Sequence, residues 1–296
     1  SFSDRHTIAN QLNELDFAIQ KLLDIGFGVS LDAHPGGKFS RLHASNPDEG
    51  FRLLQSLWRT LGRRYRGYSP ERLLLEVLNE PSIPEKIWNE QGPRLVETVR
   101  REAPEHTIIY GPASYQQISA LLGIQPLSDT NIVYAIHFYE PMIFTHQGLT
   151  WSNDPLSYLH GVPFPTNLSD PRMLDLTNRL VQAGQSDAAA LLRSQLRSPW
   201  DERRVVSAIA RAADWARRNG RPVVLNEFGV LGWKAPAQDR ARWINVVRRA
   251  AESHCIGWTH WEYADGFGFV RRSEKGESPD HAILEALVGS LSFKRQ

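Results

Sequence analysis

Across its 296 residues the sequence has one cysteine, Cys255. That excludes an intrachain disulfide framework and supplies no thiolate cluster for zinc. Cys255 falls in an apolar, strand-like run, so it is expected to be an inert core thiol. A surplus of either charge is lacking too. The 34 Lys and Arg against 33 Asp and Glu leave a formal net charge of +1, which gives no electrostatic basis for nucleic acid or an anionic membrane surface as a partner. The pairs Arg63-Arg64 and Arg248-Arg249 lie in helical patterns and read as solvated faces. No apolar run is long enough to cross a bilayer, and the polar start, SFSDRH, shows no signal peptide. Tandem repeats, low-complexity tracts and linkers are missing as well, so a single domain over 1–296 is expected.

Tryptophan is what the sequence has in quantity. There are nine, in a chain that is 10% aromatic. Sugar rings offer apolar faces to flat aromatic surfaces, so Trp side chains in loops fit a carbohydrate site. Apolar content of 41% and charge of 23% are ordinary for a globular chain, and the length suffices for a substantial core.

The pattern is organised around Leu73–Pro81, LLLEVLNEP. A short apolar run ends abruptly in Asn79-Glu80-Pro81, so a buried strand delivers a polar pair to its C-terminal end. Pro222–Phe228, PVVLNEF, repeats the form and ends in Asn226-Glu227. Either glutamate alone fits a salt bridge or a helix N-terminus equally well. Two in matching positions fit the paired carboxylates of glycoside hydrolysis.

Around these strands the periodicity alternates. Asn10–Asp24 is helical, with Leu12, Leu15, Ile19, Leu22 and Leu23 on one face and Gly26 as its stop. Phe27–Leu31 is a strand that ends in Asp32-Ala33-His34. Helices follow at 47–66 and 87–101, and strands at 107–110 and 132–137. A long segment rich in loop signals runs from about 140 to 200. Within and after it, Arg172–Arg197 is weakly helical and Asp201–Arg218 clearly so. The Glu227 strand, a helix near 238–253, a strand at Ile256–Trp261 and a helix around His281–Leu291 complete the chain. Strands alternating with helices require a parallel sheet with helical crossovers. Six strands are counted, where a closed (β/α)8 TIM barrel has eight.

At the six strand ends stand His34, Asn79 with Glu80, Ser114 or Tyr115, His137 with Tyr139, Glu227, and Trp261. With LDAH at 31–34, LNEP at 78–81, HFYEP at 137–141, FTHQGLTW at 144–151, NEFG at 226–229 and GWTHWEYADGFGF at 257–269, the chain resembles the family 5 glycoside hydrolases, the cellulase family of retaining (β/α)8-barrel glycosidases. The resemblance implies that Glu80 is the general acid/base after barrel strand 4 and Glu227 the nucleophile after strand 7. It implies that Asn79 binds the sugar 2-hydroxyl, that Tyr139 donates to Glu227, that His34 and His137 line the same subsite, and that Trp261 forms its floor. Retention calls for carboxyl groups about 5–5.5 Å apart, inversion for roughly 6.5–9.5 Å. Retention is expected.

The same resemblance numbers the six strands 3 to 8. Family members carry two further βα units ahead of them, the second ending in an arginine near the nucleophile, so the first two units are missing from this sequence. A complementary N-terminal fragment is the partner this implies, beside the polysaccharide or oligosaccharide substrate. Strand edges and apolar core would be exposed without it.

Trp258 and Trp261 lie three apart, so one is expected in the core. Trp88, Trp151, Trp200 and Trp233 are candidates for outer sugar subsites. Asp32 with His34 lacks further ligands for a metal at useful spacing, and no cofactor or metal is expected. The expected activity is that of an endo-β-1,4-glucanase. A non-catalytic carbohydrate-binding barrel, or the same chemistry on β-1,3-glucan or mannan, stays open. A polysaccharide substrate implies a secreted or periplasmic enzyme.

Overall fold

The computed structural model describes residues 2–167 and 170–289. In chain order the elements are α1 (Phe2–Asp24), β1 (Val29–Asp32), α2 (Gly37–Ser45), α3 (Pro47–Tyr65), β2 (Leu73–Glu76), α4 (Glu85–Glu102), β3 (Ile108–Tyr110), α5 (Ile118–Leu121) and β4 (Ile132–Phe138). After β4 come α6 (Met142–Thr145), a 3-10 turn at Pro155–Tyr158, α7 (Pro171–Gln182), α8 (Ser186–Leu196), α9 (Glu202–Asn219), β5 (Val223–Phe228), α10 (Ala237–Ser253), β6 (Gly257–Trp258), the hairpin β7 (Val270–Ser273) and β8 (Gly276–Pro279), and α11 (His281–Val288). The six main strands form a parallel sheet in the order β1-β2-β3-β4-β5-β6. Strand order never reverses, unlike a doubly wound sheet, which has a switch point. This is the winding of strands 3 to 8 of a (β/α)8 barrel. The chain divides into two compact units, Ser1–Ala135 and Ile136–Gln296, with the division inside β4.

In the first unit, parallel register sets Val29 against Leu73, Leu75 against Ile108, and Ile109 against Val133. Helix α3 starts with Pro47 behind an Asn46 cap that accepts from the Glu49 N–H at 3.2 Å, which satisfies an otherwise orphaned donor. Its buried stripe of Phe51, Leu54, Trp58, Leu61 and Tyr65 has helical spacing. Trp58 buries its indole and donates to the Val77 carbonyl at 2.8 Å. Helix α1 is tied to α3 through Asp16, which accepts from Arg64 and, at 2.9 Å, from the Tyr65 hydroxyl. The Arg64 guanidinium holds that carboxyl below its ordinary range. Phe17, Ile25 and Phe27 are left 65%, 69% and 58% exposed.

In the second unit, β5 pairs parallel with β6, Leu225 opposite Trp258. Phe138 stacks on Trp243 at 5.8 Å, and Trp243 donates to the Glu140 carbonyl at 3.1 Å. Helix α9 is capped by Asp201, which accepts from the Arg204 N–H at 2.8 Å, and stops at Gly220.

Several expectations need correction. Helix α1 begins well before Asn10. An additional helix, α2, starts at Gly37 behind Gly36, where the sequence pattern assigns no element. The weak periodicity of 172–197 is two helices, because the chain turns at Ala183-Gly184 between α7 and α8. β6 is only two residues long, although the Thr259 and Trp261 N–H groups beyond it still donate to the Leu225 and Phe228 carbonyls of β5. Cys255 is exposed rather than core: it lies in the turn after α10 with φ +56°. α11 ends at Val288, and the Ser290-Leu291 end of the helix expected there lies outside the described residues.

Candidate active site

In the first unit the predicted residues assemble after β1 and β2. The apolar, β-branched or leucine-rich cores of these strands bury Leu31, Leu73 and Leu75, and the polar residues start where the strands end. The Asn79 N–H donates to the Ala33 carbonyl at 2.9 Å, which continues the ladder one step past β2. Side chains follow: Asn79 Nδ2 lies 3.2 Å from His34 Nε2, and His34 Nδ1 lies 3.2 Å from Asp32 Oδ2. An amide nitrogen only donates, so Nε2 accepts and the imidazole proton sits on Nδ1, facing Asp32. Asp32 Oδ2 thus faces the imidazole from its Nδ1 side. Glu80 stands half-buried with φ +42°, a backbone state that side-chain-bearing residues seldom adopt. Its N–H donates to Gln116 Oε1 at 2.7 Å.

Sequence reasoning placed Ser114 or Tyr115 at the end of β3, but both are exposed and Gln116 is the side chain turned inward. No periodicity signals this. The residues 114–116 all carry positive φ, 58°, 59° and 56°, so the turn reverses the expected alternation.

In the second unit, β4 ends in His137 and Tyr139, and β5 ends in Glu227. The Tyr139 hydroxyl donates to Glu227 Oε1 at 2.5 Å, and His137 Nδ1 lies 3.5 Å from Oε2. Both His137 and Glu227 are buried. Two fixed neighbours thus hold one carboxylate in a single orientation. The Tyr139 ring is braced edge-on by His146 at 4.9 Å and Phe267 at 5.8 Å, and Thr145 Oγ1 donates to the Tyr139 carbonyl at 2.5 Å.

Trp261 follows β6 and is 37% exposed. Its N–H donates to the Phe228 carbonyl at 2.9 Å. A Cβ on Gly229 would stand 2.2 Å from the Trp261 carbonyl oxygen, so only glycine lets the chain after Glu227 pass this close. Trp258 is half-buried and packs edge-on against Phe228 at 5.8 Å.

Arg240 was not singled out from the sequence. It is buried in α10, donates to the carbonyls of Val230, Phe267 and Gly268 at 2.7–2.9 Å, and lies 3.6 Å from Asp280. It clamps the segment after Glu227 to the loop after Trp261. Its arginine type and helical position gave no sequence signal of that role.

The outer tryptophans divide. Trp88 is fully buried, stacked on Tyr110 at 5.7 Å and donating to the Gly111 carbonyl at 2.9 Å, so it is core and not a subsite. Trp200 packs on Phe138 at 6.0 Å with the Arg204 guanidinium 4.3 Å over its ring. Trp151 and Trp233 are 59% and 48% exposed and lie 6.2 Å apart.

Residues 3–264 match the family Cellulase (glycosyl hydrolase family 5). The chain is 26% identical over 275 residues to Endoglucanase 3 of Fibrobacter succinogenes, covering 91% of this chain and 41% of that protein. It is 29% identical over 263 residues to Cellodextrinase A of Ruminococcus flavefaciens, covering 86% and 68%. The crystal structure of endoglucanase Cel5A from Thermotoga maritima superposes with a TM-score of 0.75 at 26% identity, over 94% of this chain and 78% of that one. The chain thus spans less than half of the Fibrobacter enzyme. With the family's motifs in order on this strand ladder and the match extending over most of the sequence, the chain belongs to the cellulase family, glycosyl hydrolase family 5.

Proposed function

We propose that the protein is a retaining endo-β-1,4-glucanase, with Glu227 as nucleophile and Glu80 as acid/base. The observation that carries this is the Tyr139–Glu227 hydrogen bond of 2.5 Å within a family 5 chain. With Oε1 committed to Tyr139, Oε2 makes the bond to the anomeric carbon while Glu80 passes its proton to the leaving oxygen. Glycosylation consumes the charge on Glu227. Glu80, now a carboxylate, takes a proton from water, the water oxygen bonds to the anomeric carbon, and the ester to Glu227 breaks. Two inversions leave the configuration retained. Asn79, oriented by its contact with His34, is proposed to bind the 2-hydroxyl, where hydrogen bonds tighten in the oxocarbenium-like transition state. Trp261 is proposed as the floor of that subsite, with His34 and His137 along it.

Azide rescue tests the pair. Glu227→Ala with azide is expected to yield the α-glycosyl azide, and Glu80→Ala the β-glycosyl azide. Interchanged products would reverse the roles, full wild-type turnover in both variants would refute the pair, and a wild type that binds glucan without turning it over would leave a binding protein. Hydrolysis followed by proton NMR should show the β-anomer first. A panel of cellulose oligomers, mixed-linkage glucan, β-1,3-glucan and mannan identifies the linkage. The names of the Fibrobacter and Ruminococcus relatives favour cellulose-derived chains. A polymeric substrate supports a secreted or periplasmic location.

We also infer that two further βα units pack beside β1. The exposed Phe17, Ile25 and Phe27 support this, because an apolar patch on a strand-edge element is the surface such units bury. Supplying a family N-terminal segment in trans should raise the melting temperature, and an unchanged one would refute it.

A further inference from the structure

The acid/base proposed above sits on a backbone that needs holding. Glu80 has φ +42°, and its N–H donates to Gln116 Oε1 at 2.7 Å. The other end of the same amide is also engaged: Gln116 Nε2 donates to Glu76 Oε1 at 2.9 Å. Glu76 and Gln116 are both buried. Glu76 lies in β2 and Glu80 four residues later, so Gln116 ties the last strand residue to the catalytic one. Its amide is suited to this, because it carries an acceptor and a donor at fixed separation, which a carboxylate or hydrocarbon cannot match. Buried amides with both ends satisfied are rigid.

The surrounding chain is built to deliver it. Residues 114–116 run through three consecutive left-handed conformations, a strained path for side-chain-bearing residues, and the third turns Gln116 under β2. Gly111 clears the space, since a Cβ there would stand 2.3 Å from Gln116 Cγ.

We propose that Gln116 is a positioning residue for the acid/base step: it holds the left-handed backbone of Glu80 against Glu76 so that the Glu80 carboxyl meets the glycosidic oxygen. This rests on the assignment of Glu80 as acid/base, and the test separates the two. Aryl β-cellobiosides with leaving groups from 2,4-dinitrophenol to phenol are hydrolysed by the wild type, Glu80→Ala and Gln116→Met, and kcat/KM is plotted against leaving-group acidity. Methionine fills the volume but makes neither hydrogen bond. Gln116→Met is expected to lose about 10- to 100-fold on the phenyl substrate and less than threefold on the dinitrophenyl one, the hydrogen bond of a backbone donor converted to rate. A purely structural role would lower both alike.

A steep series for Glu80→Ala with a uniform loss for Gln116→Met overturns the positioning role alone. A flat series for Glu80→Ala overturns the acid assignment, and the proposal with it. If Gln116→Met does not fold, Gln116→Glu is the second variant: it keeps an acceptor for the Glu80 N–H but loses the donor to Glu76 and is expected to steepen the slope. A wild-type slope in that variant also overturns the proposal.

Discussion

The Tyr139 hydroxyl and Glu227 Oε1 are 2.5 Å apart, a short O–H···O contact of the charge-assisted kind. Such a bond both orients a carboxylate and stabilises its charge. Tyr139→Phe keeps the ring packed between His146 and Phe267, so it removes the bond without opening a cavity. The expected cost is about 1.5–3 kcal/mol of transition-state stabilisation, or roughly 10- to 100-fold in kcat/KM, with the melting temperature unchanged. Steady-state kinetics beside a thermal melt check both halves.

The tryptophans should separate by burial. Trp88→Ala empties a fully buried site under a stacked tyrosine and is expected to cost about 3–5 kcal/mol of stability. Trp151→Ala removes an exposed ring. It should leave the melt unchanged and raise KM for long oligomers by about two- to tenfold, the worth of one aromatic stacking contact. Equal KM for long and short oligomers would remove Trp151 from the substrate path.

Arg240 is the strongest stability prediction of the second unit. Arg240→Met leaves three carbonyls without a donor and costs Asp280 its buried neighbour. Breaking a buried ionic contact of this kind is expected to cost about 3–5 kcal/mol. Asp280 retains Arg271 at 2.8 Å, which places the effect at the low end. Denaturant unfolding measures it.

His260 sets an acid limit. Its ring nitrogens are shielded from solvent, and burial, reinforced by the positive Arg240, pushes the imidazole down to about 3. The unfolded imidazole protonates near pH 6.5, so between that pH and about 3 the unfolded state binds more protons and stability falls as pH falls. The slope is up to about 1.4 kcal/mol per pH unit. His260 packs between Phe228 and Phe269 at 5.6 and 6.1 Å, so His260→Phe fits and should flatten the melting profile between pH 6.5 and 4. A profile as steep as the wild type's would assign the acid limit elsewhere.

Strand order and the two glutamates were legible without coordinates because they follow from local rules. Apolar runs of strand length alternate with helical stripes, and each Asn-Glu pair closes a run where burial must give way to polarity. The extra helix α2 and the break between α7 and α8 were not legible, because a glycine-rich or weakly periodic stretch has no unique local preference. Tertiary contacts chose among the options.

The sequence by itself determined the family and the βα winding, since those depend on residue type and spacing. Only the tertiary structure decided that Gln116 rather than Ser114 or Tyr115 faces inward, that Trp88 is core while Trp151 and Trp233 are exposed, and that Cys255 lies at the surface. Each of these depends on where a turn with positive φ or a packed ring points a side chain. Such directions are fixed by steric fit between segments far apart in the chain, which local pattern does not record.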